Sequence, residues 1–496
     1  MNKRDVIALA KIGQQADLAG FRGGKARHFL TVLPAGEDWH DAPDAEAVAQ
    51  SLARKDKKPA DLAKSPLALD LPDGARSVFL RLDEGKDAFA WQAALRQALK
   101  LLLDEQPRTL HLAFFGSAAF RERAARTAAY VAWLNGTAMP TWKSGKPPRA
   151  LARLDLFGVE GLDLKRERAL AEGNGLCREL TLLPPNLLTP ATYRARVRDL
   201  AEQAGWGIDE YDVKRLKKLK AGAFLAVARG SGHQDAAIVR LSYAPPVRGK
   251  GSGVKGKTIA LVGKGICFDT GGHNLKPARY MNNMHDDMNG SAVALGILLA
   301  ASRLKLPLNL EVWLAIAQNH LSPEAYTQNE VVTALNGTTI EIVHTDAEGR
   351  MVLADTLALA AKEKPAAIMD FATLTGSMAV ALGERMSGVI ANRADLAARA
   401  VAAGQSCGER VVAFPLPEDY DEALDSPVAD VKQCTLDSEA DHILAALFLQ
   451  RFVADTPWLH VDLSASRCKG GLGAAGTDIT GFGVGLGLGM LEGLGG

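Results

Sequence analysis

Twice in this 496-residue chain, a short apolar stretch runs into a segment rich in glycine and carboxylates, and an apolar helix pattern follows. The first stretch, residues 258–262, precedes the helix pattern 293–301, and the second ends at Val343 and precedes the pattern 351–360. Continuous β-branched apolar runs are typical of strands buried on both faces. The repeated order of strand, polar junction and helix predicts an α/β fold whose functional groups gather at these junctions.

Both junctions carry groups that bind metals. The second reads His-Thr-Asp-Ala-Glu-Gly-Arg over residues 344–350, and on an extended strand end Asp346 and Glu348 would project from the same side. The first holds Lys264, Asp269, Lys276 and Asp287. Because acids gathered this closely repel one another unless cations neutralise them, the pattern favours a two-metal hydrolase.

Each junction also has a simpler interpretation. An isolated Asp-x-Glu is commonly a solvated turn, and Lys264 could be a surface charge at a strand end. We expect the strand to break at Gly263-Lys264-Gly265, where the backbone can approach a ligand closely. A metal-bound Lys264 would have to be neutral, which requires a lowered pKa.

Four segments together resemble a known family. They are residues 262–272 (Val-Gly-Lys-Gly-Ile-Cys-Phe-Asp-Thr-Gly-Gly), 275–277 (Leu-Lys-Pro), 287–292 (Asp-Met-Asn-Gly-Ser-Ala) and 345–355 (Thr-Asp-Ala-Glu-Gly-Arg-Met-Val-Leu-Ala-Asp). In this order they are similar to the catalytic motifs of the leucyl aminopeptidase, or cytosol aminopeptidase, family. The resemblance extends over about residues 175 to 485.

The resemblance implies a two-metal enzyme that removes the first residue of peptides with a free α-amine. The implied metal ligands are Lys264, Asp269, Asp287, Asp346 and Glu348. Asp269 and Glu348 would bridge the two ions, with Lys264 and Asp287 on one ion and Asp346 on the other. Lys276 would stabilise the oxyanion, and Arg350 would hold a bicarbonate ion as the general base. Oxygen ligands with one lysine nitrogen suit manganese, zinc or magnesium, and an arginine fork suits a planar anion.

The resemblance also predicts a pocket for the first residue of the substrate. Its predicted lining residues are Met284, Thr373, Leu374, Gly376, Ser464 and Arg467. If Arg467 faces the pocket, an acidic or polar first residue would be preferred over leucine; alternatively, Arg467 points to solvent or to a subunit contact. His344 stands where the family usually has asparagine, and it could be a supporting donor, a participant in proton transfer or a tolerated polar residue.

Composition limits the other functions. With 58 Lys and Arg against 57 Asp and Glu, the net charge of +1 gives no general argument for nucleic acid or an anionic membrane. Five cysteines without Cys-x-x-Cys spacing favour a reducing compartment, and no apolar run approaches membrane-spanning length, so we expect a cytoplasmic enzyme. The resemblance implies a homohexamer. The basic runs 54–58, 214–220 and 250–257 are each most simply a solvated face or loop. Two alternatives remain: a DNA-binding or scaffold member of the family, and a two-metal hydrolase of another bond.

The predicted fold has a smaller amino-terminal α/β domain and a larger catalytic α/β domain with a central, mostly parallel mixed sheet. We expect these domains at residues 1–160 and 179–496, joined by a linker helix at 161–178. In the amino-terminal domain we predict strands at 77–82 and 109–115 and helices at 88–103 and 120–134. In the catalytic domain we predict strands at 309–317, 366–371 and 458–463 and helices at 293–304 and 442–452. The glycine-rich tail, residues 481–496, is expected to have a flexible end.

Overall fold

The computed structural model describes residues 6–36, 41–245, 257–437 and 439–495. These residues form two main sheets covered by helices, which confirms the predicted mixed α/β fold. Of the basic run 250–257, all but Lys257 lie outside the described residues. Within the described part of the chain, no helix is long and apolar enough to cross a membrane.

The amino-terminal part of the chain forms a six-stranded sheet in the order β1-β6-β5-β2-β4-β3. Its strands are β1 (Lys11–Gln15), β2 (His28–Pro34), β3 (Leu67–Asp70), β4 (Arg76–Leu82), β5 (Thr109–Phe114) and β6 (Arg153–Phe157). Edge strand β3 runs antiparallel to β4, and the other neighbours are parallel. The helices are α1 (Ala45–Arg54), α2 (Ala88–Leu103) and α3 (Ala118–Gly136).

The larger part of the chain forms an eight-stranded mixed sheet in the order β15-β14-β17-β13-β9-β10-β8-β7. Its strands are β7 (Gly207–Asp212), β8 (Ala237–Tyr243), β9 (Thr258–Asp269), β10 (Asn309–Asn319), β13 (Ala367–Ala372), β14 (Ser387–Ala391), β15 (Val411–Ala413) and β17 (Trp458–Asp462). A small sheet joins β11 (Val331–Thr333), β12 (Thr339–Glu341) and β16 (Val431–Lys432). The central strands β17, β13, β9 and β10 are parallel, so their carboxyl ends meet at one edge.

Helices cover both faces of this sheet. The α-helices in this part of the chain are α4 (Lys165–Thr181), α5 (Pro190–Ala204), α6 (Val213–Leu219), α7 (Gly222–Ala228), α8 (Ala278–Met281), α9 (Asn289–Leu304), α10 (Glu348–Lys362), α11 (Gly376–Leu382), α12 (Ala394–Cys407), α13 (Asp441–Gln450) and α14 (Val484–Gly495). Along β9, Ile259 and Leu261 enter one apolar cluster, while Ala260 and Val262 enter another on the opposite face. The central strand is therefore buried on both faces, as its unbroken apolar sequence predicts.

The predicted break at Gly263-Lys264-Gly265 is wrong, because β9 continues to Asp269. Strand β10 pairs with β9 through all three residues, and β13 pairs with it on the other side as far as Gly263, so β9 stays extended here. Gly263 serves close packing instead, since a Cβ there would lie 2.5 Å from the Cα of Ser291 in α9. Lys264 therefore lies inside a buried strand and not at a strand end.

One further local prediction is wrong, and one helix was not predicted. Asp346 lies in a turn and Glu348 is the first residue of α10, so the two do not share the face of a strand. The glycine-rich tail forms helix α14, in which Leu486 and Leu491 are fully buried. The predicted linker coincides in large part with α4, and the domain boundaries remain a prediction.

Candidate metal centre

Four neighbouring parallel strands each bring a polar side chain to the same edge of the sheet. Asp269, Asn319 and Asp462 are the last residues of β9, β10 and β17, and Thr373 directly follows β13. Crevices outside the carboxyl ends of parallel strands are the usual ligand sites of open α/β sheets. The loops after β9 and before α10 add Lys276, Asp287 and the 344–350 segment to this edge.

The five predicted ligands come together here. The Lys264 Nζ lies 2.8 Å from Asp287 Oδ1 and 2.8 Å from Glu348 Oε1. Carboxylate oxygens of Asp269, Asp346 and Glu348 all lie within 4.8 Å of one another. Asp346 is partly exposed, and the other four side chains are buried. The structure thus gathers at one point residues that are up to 84 positions apart in the sequence.

Lys276 lies beside the same carboxylates. Its Nζ is 2.9 Å from Asp269 Oδ2 and 2.6 Å from Asp346 Oδ1. Burial would lower the pKa of this ammonium, but the Asp269, Glu348 and Asp346 carboxylates outweigh that effect and raise it above its ordinary value. Lys276 is therefore positively charged in this arrangement.

The excess of carboxylates in this cluster favours the binding of a cation. Four carboxylates face two ammonium groups, so the acidic groups outnumber the basic ones by two in this site. Burial raises the pKa of Asp346 to about 7, with Asp269 and Glu348 adding to the effect. The buried oxygens Asp287 Oδ2 and Glu348 Oε2 have no hydrogen-bond partner among the described residues. Divalent cations fit this donor set, because they supply both the missing charge and the missing partners.

Several supporting residues were not predicted from the sequence. The Asn319 side-chain amide donates to Asp269 Oδ1 at 2.9 Å and to the Thr345 carbonyl at 3.0 Å, so it joins the two ligand segments. Asp462 accepts from the Leu374 backbone N–H at 3.1 Å and thereby holds the loop after β13. Asn319 ends β10, which is the neighbour of β9, and Asp462 ends β17, which is the neighbour of β13. These positions could have identified both residues, had the strand order been known.

His344 has a structural contact that narrows its possible roles. Its Nδ1 accepts the backbone N–H of Asp346 at 3.2 Å. Burial lowers the pKa of the imidazole, and the nearby Lys276 and Arg350 charges lower it further. His344 thus supports the turn that presents Asp346 and carries its proton on Nε2 when neutral.

Arg350 is engaged by the protein itself. Its Nη1 donates to the Gln433 carbonyl at 2.9 Å, and its Nη2 lies 2.8 Å from Asp441 Oδ1. The guanidinium is buried, whereas the Asp441 carboxylate is partly exposed to the cavity beside the metal ligands. A second anion on this guanidinium would be repelled by Asp441. Bicarbonate, which the family resemblance assigned to Arg350, does not fit this arrangement.

One cavity of about 830 Å³, the site cavity, joins these groups. All six residues predicted to line the first-residue pocket lie along it: Met284, Thr373, Leu374, Gly376, Ser464 and Arg467. Arg467 faces the cavity, but its guanidinium is not free to pair with a substrate. Its Nε and Nη2 lie 2.9 and 2.8 Å from Asp286 Oδ2, and Asp286 lines the same cavity. The cation in this wall is therefore already paired with an anion.

Comparison with known proteins gives a consistent result. Residues 175–487 match the model of the cytosol aminopeptidase family, catalytic domain. The chain is 39% identical over 364 residues to a probable cytosol aminopeptidase of Syntrophotalea carbinolica, a match covering 71% of each chain. It is 42% identical over 333 residues to one of Stutzerimonas stutzeri, with 65% of each chain covered.

Solved structures agree with the family match. A mutant of tomato leucine aminopeptidase superimposes with a TM-score of 0.85 at 26% identity, covering 99% of this chain and 97% of that one. The bottromycin maturation enzyme BotP in complex with Mn superimposes with a TM-score of 0.81 at 30% identity, covering 95% of this chain and 100% of that one. The resemblance seen in the sequence motifs is confirmed: the chain belongs to the cytosol aminopeptidase family and is by that membership a metal-dependent aminopeptidase.

Proposed function

We propose that this enzyme hydrolyses the amino-terminal peptide bond of peptides with a free α-amine, using two divalent ions such as manganese, zinc or magnesium. The observation that carries the proposal is the convergence of four carboxylates and Lys264 in one cavity with Lys276. Oxygen-rich sites with one nitrogen suit these ions.

In this proposal, two overlapping groups of side chains hold the ions. Lys264, Asp269, Asp287 and Glu348 form one group, and Asp269, Asp346 and Glu348 form the other. When bound, such ions supply Lewis acidity that activates water and polarises a carbonyl, together with a coordination position for a neutral amine. An internal peptide bond offers no such amine, which accounts for cleavage at the first residue.

Lys276 would stabilise the negative charge that develops on the carbonyl oxygen. An ammonium group has three N–H donors. The Lys276 Nζ lies at ion-pair distance from the Asp269 and Asp346 carboxylates and also lines the site cavity, where it can donate to an oxygen of the substrate. A donor aimed at developing charge in a site that largely excludes water typically contributes about 10²- to 10³-fold to turnover.

The first-residue pocket would favour neutral side chains. The paired charges of Arg467 and Asp286 leave this wall without net charge, so an acidic first residue would gain no free cation. Met284 and Leu374 supply apolar surface to the cavity, while Ser464 is committed to the Met386 carbonyl at 2.7 Å.

We propose that the protein acts as a homohexamer in the cytoplasm. Among the residues that line the site cavity, large apolar side chains are exposed, including Leu436 at 71% and Tyr280 at 57% exposure. Exposed apolar groups gathered beside a site are typical of contact surfaces. A mass of six chains in sedimentation would support the hexamer, and a monomer would contradict it.

The proposed cytoplasmic location is supported by the five free cysteines, which favour a reducing compartment.

The activity is tested with metal-loaded protein on matched pairs of dipeptides, one with a free α-amine and one acetylated, together with a phosphoester. We expect hydrolysis of the free-amine peptides alone. Cleavage of the acetylated peptide or of the phosphoester in their place would refute the proposal.

Two variants separate metal binding from catalysis. Glu348→Gln should reduce the number of bound metals measured by elemental analysis, because it removes a bridging carboxylate. Lys276→Met should keep both metals and lower turnover by about 10²- to 10³-fold. Unchanged metal content in the first variant, or unchanged turnover in the second, would contradict the assigned roles.

A further inference from the structure

We infer that Asp441 is the built-in proton acceptor of this site and takes the place of an external anion at Arg350. The inference rests on the proposed peptidase function. It identifies a catalytic side chain outside the metal-binding motifs, in a segment that those motifs do not reach.

The first support is the pairing itself. Arg350 is only 2% exposed, so its charge requires an anion close by. The chain provides that anion through Asp441 Oδ1, at 2.8 Å from Nη2. An enzyme that used dissolved bicarbonate would need this guanidinium to be available to it. Here it is already neutralised by a residue of the same chain.

The second support is the position of the carboxylate. Asp441 lines the site cavity together with Asp346, Glu348 and Lys276, and its side chain is 22% exposed while its partner is buried. Asp441 is thus the member of the pair that water and substrate can reach. A carboxylate oriented by an arginine and open to the reacting cavity has the properties of a general base.

The third support is that Asp441 is held in place. It is the first residue of α13, where an acidic side chain is stabilised by the helix dipole. The next residue, His442, is fixed to α11, since its backbone N–H donates to Ser377 Oγ at 2.9 Å and its Nδ1 lies 3.0 Å from the same oxygen. A fixed carboxylate needs little reorganisation during the reaction.

Asp441 would carry one proton from the attacking water to the departing amine. As the water oxygen bonds to the carbonyl carbon, Asp441 accepts one proton from that water. As the C–N bond breaks, Asp441 passes this proton to the departing amine nitrogen, and the carboxylate is regenerated. No external base is consumed.

The test uses metal-loaded enzyme in buffer freed of carbon dioxide, with and without added bicarbonate. Wild type should have full turnover in both conditions. Asp441→Ala should lower kcat by about 10²- to 10⁴-fold, the usual contribution of a general base. Bicarbonate or formate should restore part of that loss, because the shortened side chain leaves room beside Arg350.

Asp441→Asn keeps the shape without the charge, and we expect low activity with little rescue. Asp455→Asn is the control for the loss of a carboxylate elsewhere, since Asp455 is exposed and does not line the site cavity. It should behave like wild type. A readout independent of turnover is the binding of ¹³C-labelled bicarbonate by NMR, expected for Asp441→Ala and not for wild type.

Three results would overturn the inference: wild-type turnover that requires added bicarbonate, full turnover of Asp441→Asn, or rescue of Asp441→Ala by nitrate as effective as rescue by formate. The last would mean that the anion only neutralises Arg350. If wild type cleaves no free-amine peptide in either buffer, the proposed peptidase function fails and the Asp441 assignment fails with it. A requirement for bicarbonate would remove the assignment alone.

Discussion

Asp355 gives a quantitative prediction about stability and pH. Its carboxylate is fully buried in α10, where Oδ2 accepts the backbone N–H of Phe224 at 2.8 Å and Oδ1 accepts that of Leu335 at 2.7 Å. Burial raises the pKa of this group from 3.8 to about 6, against the effect of these hydrogen bonds. The folded protein therefore binds the proton more tightly than the unfolded chain does. The contribution of Asp355 to stability is complete below pH 3.8 and is lost as the pH rises through about 6.

The size of the stability change follows from the difference between the pKa of Asp355 in the folded protein and in the unfolded chain. Each pKa unit corresponds to about 1.4 kcal/mol, so the complete loss is about 3 kcal/mol, of which about 2 kcal/mol falls between pH 4.5 and 7.5. Asp355→Asn does not titrate. We expect the free energy of unfolding of wild type, relative to this variant, to decrease by about 2 kcal/mol over that interval.

The measurement is urea unfolding of both proteins at several pH values and at one protein concentration, so that any contribution from assembly cancels. Asp430→Asn is the control of opposite sign. Asp430 is exposed, and a backbone hydrogen bond from Thr339 lowers its pKa below 3.8, so wild type should gain stability relative to that variant as the pH rises to about 3.8 and should change little above it. If wild type instead gained stability over Asp355→Asn with rising pH, the backbone donors would outweigh burial, and the reasoning would be refuted.

Two further predictions concern the site. Asn319→Ala removes the amide that supports Asp269, and we expect metal affinity in a chelator titration to fall by about 10- to 100-fold while the fold is kept; unchanged affinity would contradict a positioning role. Asp286→Asn frees the charge of Arg467, so kcat/KM for an aspartyl substrate should rise relative to a leucyl one. The double variant with Arg467→Met should lose that gain, and an unaltered order of preference in Asp286→Asn would show that the pair does not face the first residue.

Local sequence patterns predict much of this fold. The helix predicted at residues 88–103 is α2 with the same bounds, and the strand predicted at 309–317 differs from β10 only at its end. The periodicity of apolar residues determines such elements within a short window. The residues that gather at the candidate metal centre could be identified for a related reason, since each belongs to a motif in which neighbouring residues also carry information.

The misplaced elements depend on distant partners. Strand β9 passes through Gly263 and Gly265 because β10 pairs with both residues and β13 pairs with Gly263. Helix α14 forms in spite of its glycines, each of which costs about 1 kcal/mol relative to alanine, because its leucines are buried against the core. In both cases tertiary burial outweighs local propensity, and no short window contains that information.

The two cationic positions show why the candidate site could be predicted only in part. Both Lys276 and Arg350 lie in motifs, but their charge partners differ in kind. The partners of Lys276 are Asp269 and Asp346, which belong to the same motifs. Both carboxylates would also bind the metal ions. The partner of Arg350 lies 91 residues away and is not a predicted ligand. Metal binding would therefore compete with Lys276 for its carboxylates while leaving Arg350 with Asp441, so that the charge on that side of the cavity is set by the fold and not by what the site binds.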